Sequence, residues 1–170
     1  MVVKRSLILL ALALVSVLAL ISCAAPQMRD FEAKQSDFQN YKSWNKVNEK
    51  PITGDLFGVL GEAHAGPAGV REVYINNIGK EVSDKGSGSY PVGTMIVKEA
   101  YKDGKLEVLT MMVKRGEGYD PANGNWEYFM SMPDFSGLDK NRGKIGMCIG
   151  CHGQTKNTDY VFHNKMTTVK

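Results

Sequence analysis

The stretch GTMIVKEAYKDGKLEVLTMMVKR, residues 93–115, decides the fold. Apolar and polar residues alternate on both sides of the dipeptide Asp103-Gly104, which is typical of a two-residue turn between antiparallel strands. Together with two other segments of the same period, this stretch predicts four strands, at about 70–76, 93–101, 105–115 and 125–132. We therefore expect a mainly antiparallel sheet.

Helices are expected on either side of this sheet. Aromatic residues recur at spacings of seven and three, which predicts one amphipathic helix over residues 29–48 with an aromatic stripe packed on the core. The stripe comprises Phe31, Phe38, Tyr41 and Trp44. After Pro133 the pattern changes to loop and short helix. The predicted fold class is α+β, with an N-terminal helix and a C-terminal helical segment that carries two cysteines.

The first residues indicate export. Lys4 and Arg5 precede an apolar run over 7–21 that is short for a membrane span and typical of a secretion signal. The run ends in Leu-Ile-Ser-Cys at 20–23, which predicts a lipoprotein signal peptide over 1–22, lipidation of Cys23 and a tether over 23–28. A plain signal peptide or an uncleaved anchor is the alternative. We expect a membrane-anchored protein that faces the periplasm or the cell exterior.

Charge and length limit the class of protein. A chain of 170 residues fits one domain. Without Lys4 and Arg5, the 21 basic residues become 19, against 18 acidic residues. Nucleic-acid binding needs a concentrated basic face, so this near-neutral balance argues against a nucleic-acid partner. The expected membrane contact is the lipid anchor.

The motif CIGCH at residues 148–152 carries the predicted chemistry. In a C-x-x-C-H segment, two thiols on one helical turn add to the vinyl groups of haem, and the adjacent imidazole binds the iron. We predict one covalent haem c on Cys148 and Cys151, with His152 as the metal ligand. A disulfide or thioredoxin-like pair would lie near a parallel βαβ unit, and a zinc site would need two further ligands at compatible spacing.

The sixth iron ligand stays open at this point. The candidates are His64, His163 and the strand methionines Met112, Met130 and Met132. Methionine in a strand usually fills the core, and a histidine in a glycine-rich loop usually lies at the surface. An open sixth position favours small-ligand binding or catalysis, whereas a strong second ligand favours electron transfer.

Four segments are to be taken together: YPVGTMIVKE at 90–99, MVKRGEGYDPANGNWEY at 112–128, CIGCH at 148–152 and DYVF at 159–162. In this order and spacing they resemble the cytochrome P460 family, which includes the cytochromes c-prime-beta. The resemblance implies a haem domain over residues 29–170, with the haem against a mainly antiparallel sheet and commonly a homodimer. Members bind nitric oxide or oxidise hydroxylamine, and electrons can leave to a redox-partner cytochrome.

The resemblance assigns roles to Lys98 and Arg71. Lys98 matches a lysine that forms an extra covalent bond to the porphyrin, and Arg71 matches an arginine of the distal pocket. The residues alone allow either an apolar pocket or the solvent side of the sheet for Lys98, because it shares a strand face with Ile96 and Ala100. For Arg71 the alternative is an ordinary cation at a strand edge.

Thr110 departs from the family pattern. Hydroxylamine-oxidising members have a glutamate at this strand position, which relays protons from the substrate. Thr110 shares its predicted inward face with Val108 and Met112, but a hydroxyl cannot act as a general base near neutral pH. Glu107 lies on the opposite face and is a poor substitute.

Three functions follow from this sequence. The leading hypothesis is the binding of nitric oxide or a related small nitrogen ligand in a mostly apolar distal pocket. The enzyme alternative is hydroxylamine oxidation, with Lys98 crosslinked to the haem and with Arg71 and Thr110 in the site. The third is simple electron transfer.

Overall fold

The computed structural model describes residues 29–53, 64–66 and 68–163. The predicted signal peptide over 1–22, the lipidation site Cys23 and the tether over 23–28 lie outside these residues. Within the described ranges, none of the helices has the length and apolar character needed to cross a membrane.

Six strands form one sheet in sequence order, and each strand pairs antiparallel with the next. They are β1 (Asn45–Lys46), β2 (Val70–Ile75), β3 (Met95–Lys102), β4 (Lys105–Lys114), β5 (Trp126–Ser131) and β6 (Arg142–Gly143). The four predicted strands correspond to β2, β3, β4 and β5. The predicted α+β class with a mainly antiparallel sheet is confirmed.

The β3–β4 hairpin forms at the predicted turn. Asp103 and Gly104 both have left-handed backbone angles, with φ of 50° and 78°. Two such residues make a type I′ turn, whose twist matches that of the flanking strands. The register shifts once, between Ala100 and Tyr101. Beyond this irregularity, the hairpin places Lys98 directly opposite Thr110.

Short helices accompany the sheet. Among the described residues, the α-helices are α1 (Gln35–Phe38), α2 (Lys80–Lys85) and α3 (Gly146–His152). Short 3₁₀-helices lie at Tyr41–Ser43, Pro121–Asn123 and Gly153–Thr158. The helix α3 confirms the prediction of a C-terminal helical segment that carries the cysteines.

The predicted helix over residues 29–48 is wrong in extent, because only α1 and one 3₁₀ turn form there. Asparagine and serine side chains compete with the helix for backbone hydrogen bonds. The amide of Asn45 donates to the carbonyl of Ile75, and the amide oxygen of Asn48 accepts from the backbone N–H of Val73. These bonds draw the segment to the sheet edge as β1. The predicted packing of the aromatic stripe on the core is confirmed.

The two faces of the sheet bury two different clusters of side chains. The core face, covered by α1, buries a cluster that includes Val97, Leu109, Met111, Val113 and Phe129. The opposite face, here called the site face, buries Ile75, Ile96, Met112, Trp126 and Tyr128. Cys148 and Ile149 of α3 pack against the site face. The cysteine motif is therefore held against the sheet by its own apolar neighbours.

Candidate functional site

The helix α3 presents both thiols of the motif. Cys148 and Cys151 are three residues apart, so they lie on the same side of this helix. Both are half-buried, and neither forms a disulfide in the described part of the chain. Burial raises the pKa of the Cys148 thiol, and the nearby Lys98 amine opposes that effect. The thiols thus lie near the Lys98 amine, and Cys148 packs on the site face.

The His152 imidazole is oriented for binding a metal. Its Nδ1 lies 2.7 Å from the carbonyl oxygen of Tyr160. A carbonyl only accepts, so Nδ1 carries the proton and Nε2 is left as the electron-pair donor. The ring packs between Tyr128 and Phe162, with centroids 5.3 and 5.2 Å away. Burial lowers the pKa of His152 to about 4, so the imidazole is neutral near pH 7, which is the metal-binding form.

The hydroxyl of Tyr128 is a buried donor on the site face. Only 2% of this residue is exposed, and no atom of the described residues makes a hydrogen bond with the hydroxyl. Burial raises its pKa, and the neighbouring Cys148 thiol adds to the effect. Buried polar groups nearly always have a partner, so this hydroxyl is available to a group bound beside the cysteines.

Lys98 lies on the same side of the sheet as the motif. It is half-buried, and burial lowers its pKa to about 8, while the Cys151 and Cys148 sulfurs oppose the shift. Of the two positions that the sequence allowed, the structure shows the amine directed to the thiols rather than to solvent. The amine nitrogen contacts Nδ1 of His64. This contact brings a base from the glycine-rich loop to the site.

Arg71 is a buried residue of β2, with 2% of its surface exposed. Its guanidinium donates to the carbonyl oxygens of His64 and Gly66, at 3.4 and 3.0 Å. Arg71 therefore holds the backbone of loop residues 64–66 against the sheet. An ordinary cation at a strand edge, the alternative for Arg71, would be exposed to solvent, whereas Arg71 is buried.

Thr110 and the other candidate residues differ in how deeply they are buried. Thr110 is half-buried between Lys98 and Met130 in the sheet, whereas Glu107 is exposed. His163 is buried and stacks on the ring of Tyr90. Of the candidate methionines, Met112 lies in the site face, Met130 is half-buried and Met132 is exposed.

The sequence reasoning considered His64 only as an iron ligand and missed its contact with Lys98. The two residues are 34 positions apart, and the link through Arg71 depends on the folded loop. The roles of Tyr128 and Tyr160 were missed as well. Both belong to segments that the sequence analysis quoted, but no local pattern shows that one hydroxyl is buried or that one carbonyl faces His152.

Comparison with known families gives one match. The family model described as Cytochrome P460 matches residues 38–163, the bulk of the chain. The chain belongs to the cytochrome P460 family. It is therefore a haem-binding cytochrome, and iron is its metal. The comparison with curated proteins found no match.

The residues of this cytochrome P460 fit a haem. A neutral imidazole with Nε2 available follows two reduced thiols on one helix, and a buried hydroxyl lacks a partner beside them. Among the described residues, no group of three or more His, Cys, Asp or Glu side chains could hold a metal ion by itself. The arrangement instead suits a metal that arrives within a cofactor and takes one axial ligand from the chain.

Proposed function

We propose that this cytochrome P460 is an exported mono-haem c-type cytochrome that binds nitric oxide or a related small nitrogen ligand. The observation that carries the proposal is the oriented, neutral His152 imidazole directly after two thiols on one helix, of which Cys148 packs on the site face. In this proposal Cys148 and Cys151 form the thioether bonds and His152 Nε2 binds the iron. The bound haem supplies an iron site for a diatomic ligand.

The wall around Lys98 supports a small ligand. Val73, Ile75 and Ile96 belong to the apolar cluster of the site face, and such a wall admits an uncharged diatomic molecule while excluding water. The Lys98 amine and the His64 imidazole contact each other beside this wall, and the buried Arg71 holds the backbone of the His64 loop. One end of the bound ligand would thus receive hydrogen bonds while the rest contacts apolar side chains.

Hydroxylamine oxidation is the second candidate, and the contact between Lys98 and His64 favours it. The reaction removes protons from the substrate, and Thr110 cannot accept them near neutral pH. An imidazole ring nitrogen can accept a proton, so in this candidate His64 takes the place of the missing glutamate. The lowered pKa of Lys98 also gives a larger share of neutral amine, the form that can bond to a porphyrin carbon.

A ferrous absorption spectrum, recorded with and without nitric oxide, separates the two candidates. For the proposed function we expect an ordinary c-type spectrum, a Soret shift on adding nitric oxide, and no turnover of hydroxylamine with an electron acceptor. A Soret band far to the red in the wild type but not in Lys98→Leu, together with turnover, would establish the second candidate. A spectrum unaffected by nitric oxide would rule out the first.

Binding of an anionic ligand should depend on pH through Lys98. Its pKa of about 8 means that the amine changes from mostly charged to mostly neutral as the pH rises from about 7 to about 9. A cation near the iron attracts an anion, so nitrite should bind the ferric protein more weakly above pH 8. Titration with nitrite at several pH values measures this effect.

The matched control for that titration is Lys98→Met, which keeps an unbranched side chain without the charge. Its nitrite affinity should be lower at pH 7 than that of the wild type, and the wild-type decrease near pH 8 should be absent. The same decrease in both proteins would assign the titration to another group and contradict this role for Lys98.

We also propose that the domain is held at a membrane through lipidated Cys23, faces the periplasm or the cell exterior, and acts as a homodimer with a redox-partner cytochrome. The support is the pattern at residues 20–23 and the family's usual assembly. Labelling cells with a traceable fatty acid tests the anchor, with Cys23→Ala as the control. Equal labelling of the two proteins would exclude Cys23 as the lipidated residue.

A further inference from the structure

A nearly buried ion pair lies close to the proposed iron ligand. Lys114 and Asp159 each expose 11% of their side chains. The Lys114 nitrogen lies 2.7 Å from both carboxylate oxygens of Asp159 and donates a further hydrogen bond, at 2.7 Å, to the carbonyl of Gly124. Three partners use all three hydrogens of the ammonium, so its position is closely defined.

Asp159 is also held by the neighbouring elements. One of its carboxylate oxygens accepts from the backbone N–H of Tyr90 at 2.7 Å. Its main-chain carbonyl accepts from the indole N–H of Trp126 at 2.8 Å. The residue is thereby connected to β4 through Lys114, to β5 through Trp126 and to the segment before β3. Both its side chain and its backbone are fixed relative to the sheet.

The backbone at this point has an unusual conformation. Asp159 and Tyr160 are consecutive residues with left-handed angles, φ of 52° and 64°. Such angles are unfavourable for residues with a Cβ atom, and they persist where surrounding contacts impose them. The hydroxyl of Tyr160 is held as well, because it donates to the carbonyl of Ala122 at 2.9 Å. The result is a rigid turn whose Tyr160 carbonyl meets His152 Nδ1 at 2.7 Å.

We propose that the Lys114–Asp159 ion pair is a positioning device that sets the reduction potential of the haem iron through the Tyr160–His152 hydrogen bond. The proposal rests on His152 being the iron ligand, as in the proposed function. A carbonyl that accepts from Nδ1–H makes the opposite ring nitrogen more electron-rich, which stabilises ferric iron. If the Tyr160 carbonyl is held less firmly and its hydrogen bond from His152 weakens, the reduction potential therefore rises.

A positioning role accounts for features that stability alone does not explain. Replacing a buried ion pair by apolar residues is often neutral or stabilising, because two charges lose their hydration. Here the pair is retained next to two backbone residues in unfavourable conformations, and the carbonyl that follows Asp159 serves the proposed axial ligand. A small movement of this pair would therefore shift the Tyr160 carbonyl, which is one hydrogen bond away from His152, the proposed iron ligand.

Three substitutions test the proposal in the fully haem-loaded protein. Asp159→Asn keeps the side-chain shape and tolerates the left-handed angle but removes the charge. Lys114→Met removes the ammonium, whereas Lys114→Arg keeps a cation. The control is Asp84→Asn, which breaks the exposed Lys80–Asp84 pair on α2. The readouts are the reduction potential and the iron–histidine stretching band in the resonance Raman spectrum.

We expect Asp159→Asn and Lys114→Met to raise the potential and to lower the frequency of the iron–histidine band. The double variant should shift no further than the larger single shift, because one ion pair is lost in each case. Lys114→Arg should stay closer to the wild type than Lys114→Met, and Asp84→Asn should not differ from it. Wild-type potential and band in both Asp159→Asn and Lys114→Met would overturn the proposal.

Gly124→Ala reaches the same turn without changing a charge. An added Cβ at Gly124 would lie 2.4 Å from a carbon of the Tyr160 ring, so either this ring or the loop at Gly124, whose carbonyl accepts from Lys114, must shift. We expect Gly124→Ala to raise the reduction potential as well. If Asp159→Asn does not fold, Gly124→Ala takes its place in the test. An unchanged potential in Gly124→Ala would then overturn the proposal. A haem-loaded wild type that does not bind nitric oxide would defeat the proposed function, while the shifts among these variants would still decide this inference.

Discussion

Replacing Cys148 and Cys151 together by alanine is expected to abolish covalent haem attachment completely. The two thiols lie on one side of α3, and Cys148 packs on the site face. Cys23, the other cysteine of the chain, is the proposed lipid-anchor residue. Without a sulfur next to His152, no thioether bond can form, and any haem that His152 still binds should be lost on denaturation. Haem staining after denaturing electrophoresis measures the attachment.

Met147→Ala is the matched control for this experiment. Met147 lies next to Cys148 on α3, but 65% of it is exposed, so its removal disturbs neither the thiols nor the packing. Full haem staining of this variant would show that α3 tolerates substitution. Staining of the Cys148→Ala/Cys151→Ala protein at the control level would contradict the assignment of both thiols.

Phe129→Ala is expected to lower the free energy of unfolding by about 3–5 kcal/mol. Phe129 is 1% exposed on the core face, its ring meets Phe38 edge-on at 5.4 Å, and the Arg142 guanidinium lies over it at 4.6 Å. Alanine would lose these contacts and leave a cavity between the sheet and α1. Denaturant unfolding of the haem-loaded protein, followed by far-ultraviolet circular dichroism, measures the change.

Met132→Ala provides the comparison, because Met132 is 56% exposed just after β5. Its effect should stay within about 0.5 kcal/mol of the wild type. The haem spectrum of folded Phe129→Ala should be unchanged, since Phe129 lies on the face away from α3. A stability loss below about 1 kcal/mol, or an altered haem spectrum in the folded protein, would contradict this division of the two faces.

Local sequence patterns were sufficient to predict the central part of the fold. The β3–β4 hairpin follows from alternating residues around Asp103-Gly104, because the turn and the strands are set by neighbours in sequence. The helix over 29–48 was wrong because aromatic spacing cannot distinguish a long helix from a short helix, a turn and an edge strand that bury the same rings. The side chains of Asn45 and Asn48 decided the outcome through bonds to β2, about 25 to 30 residues later.

The candidate site was predictable only where its parts are adjacent in sequence. Cys148, Cys151 and His152 form one motif, and the face of Lys98 follows from strand alternation. The contact between Lys98 and His64 joins a strand to a distant loop, and the Lys114–Asp159 pair spans 45 positions. Such contacts depend on how the loops and the C-terminal turn cross the sheet, which no local spacing encodes.

The proposed covalent attachment of haem to α3 can be measured on a single peptide. Trypsin cleavage after Lys144 and Lys156 releases a peptide that contains Cys148, Cys151 and His152. Mass spectrometry of this peptide, from protein matured by its export pathway, should show the added mass of one haem, with haem absorbance at the same elution position. A peptide of unmodified mass, with haem that acidic organic solvent extracts from the protein, would contradict the claim.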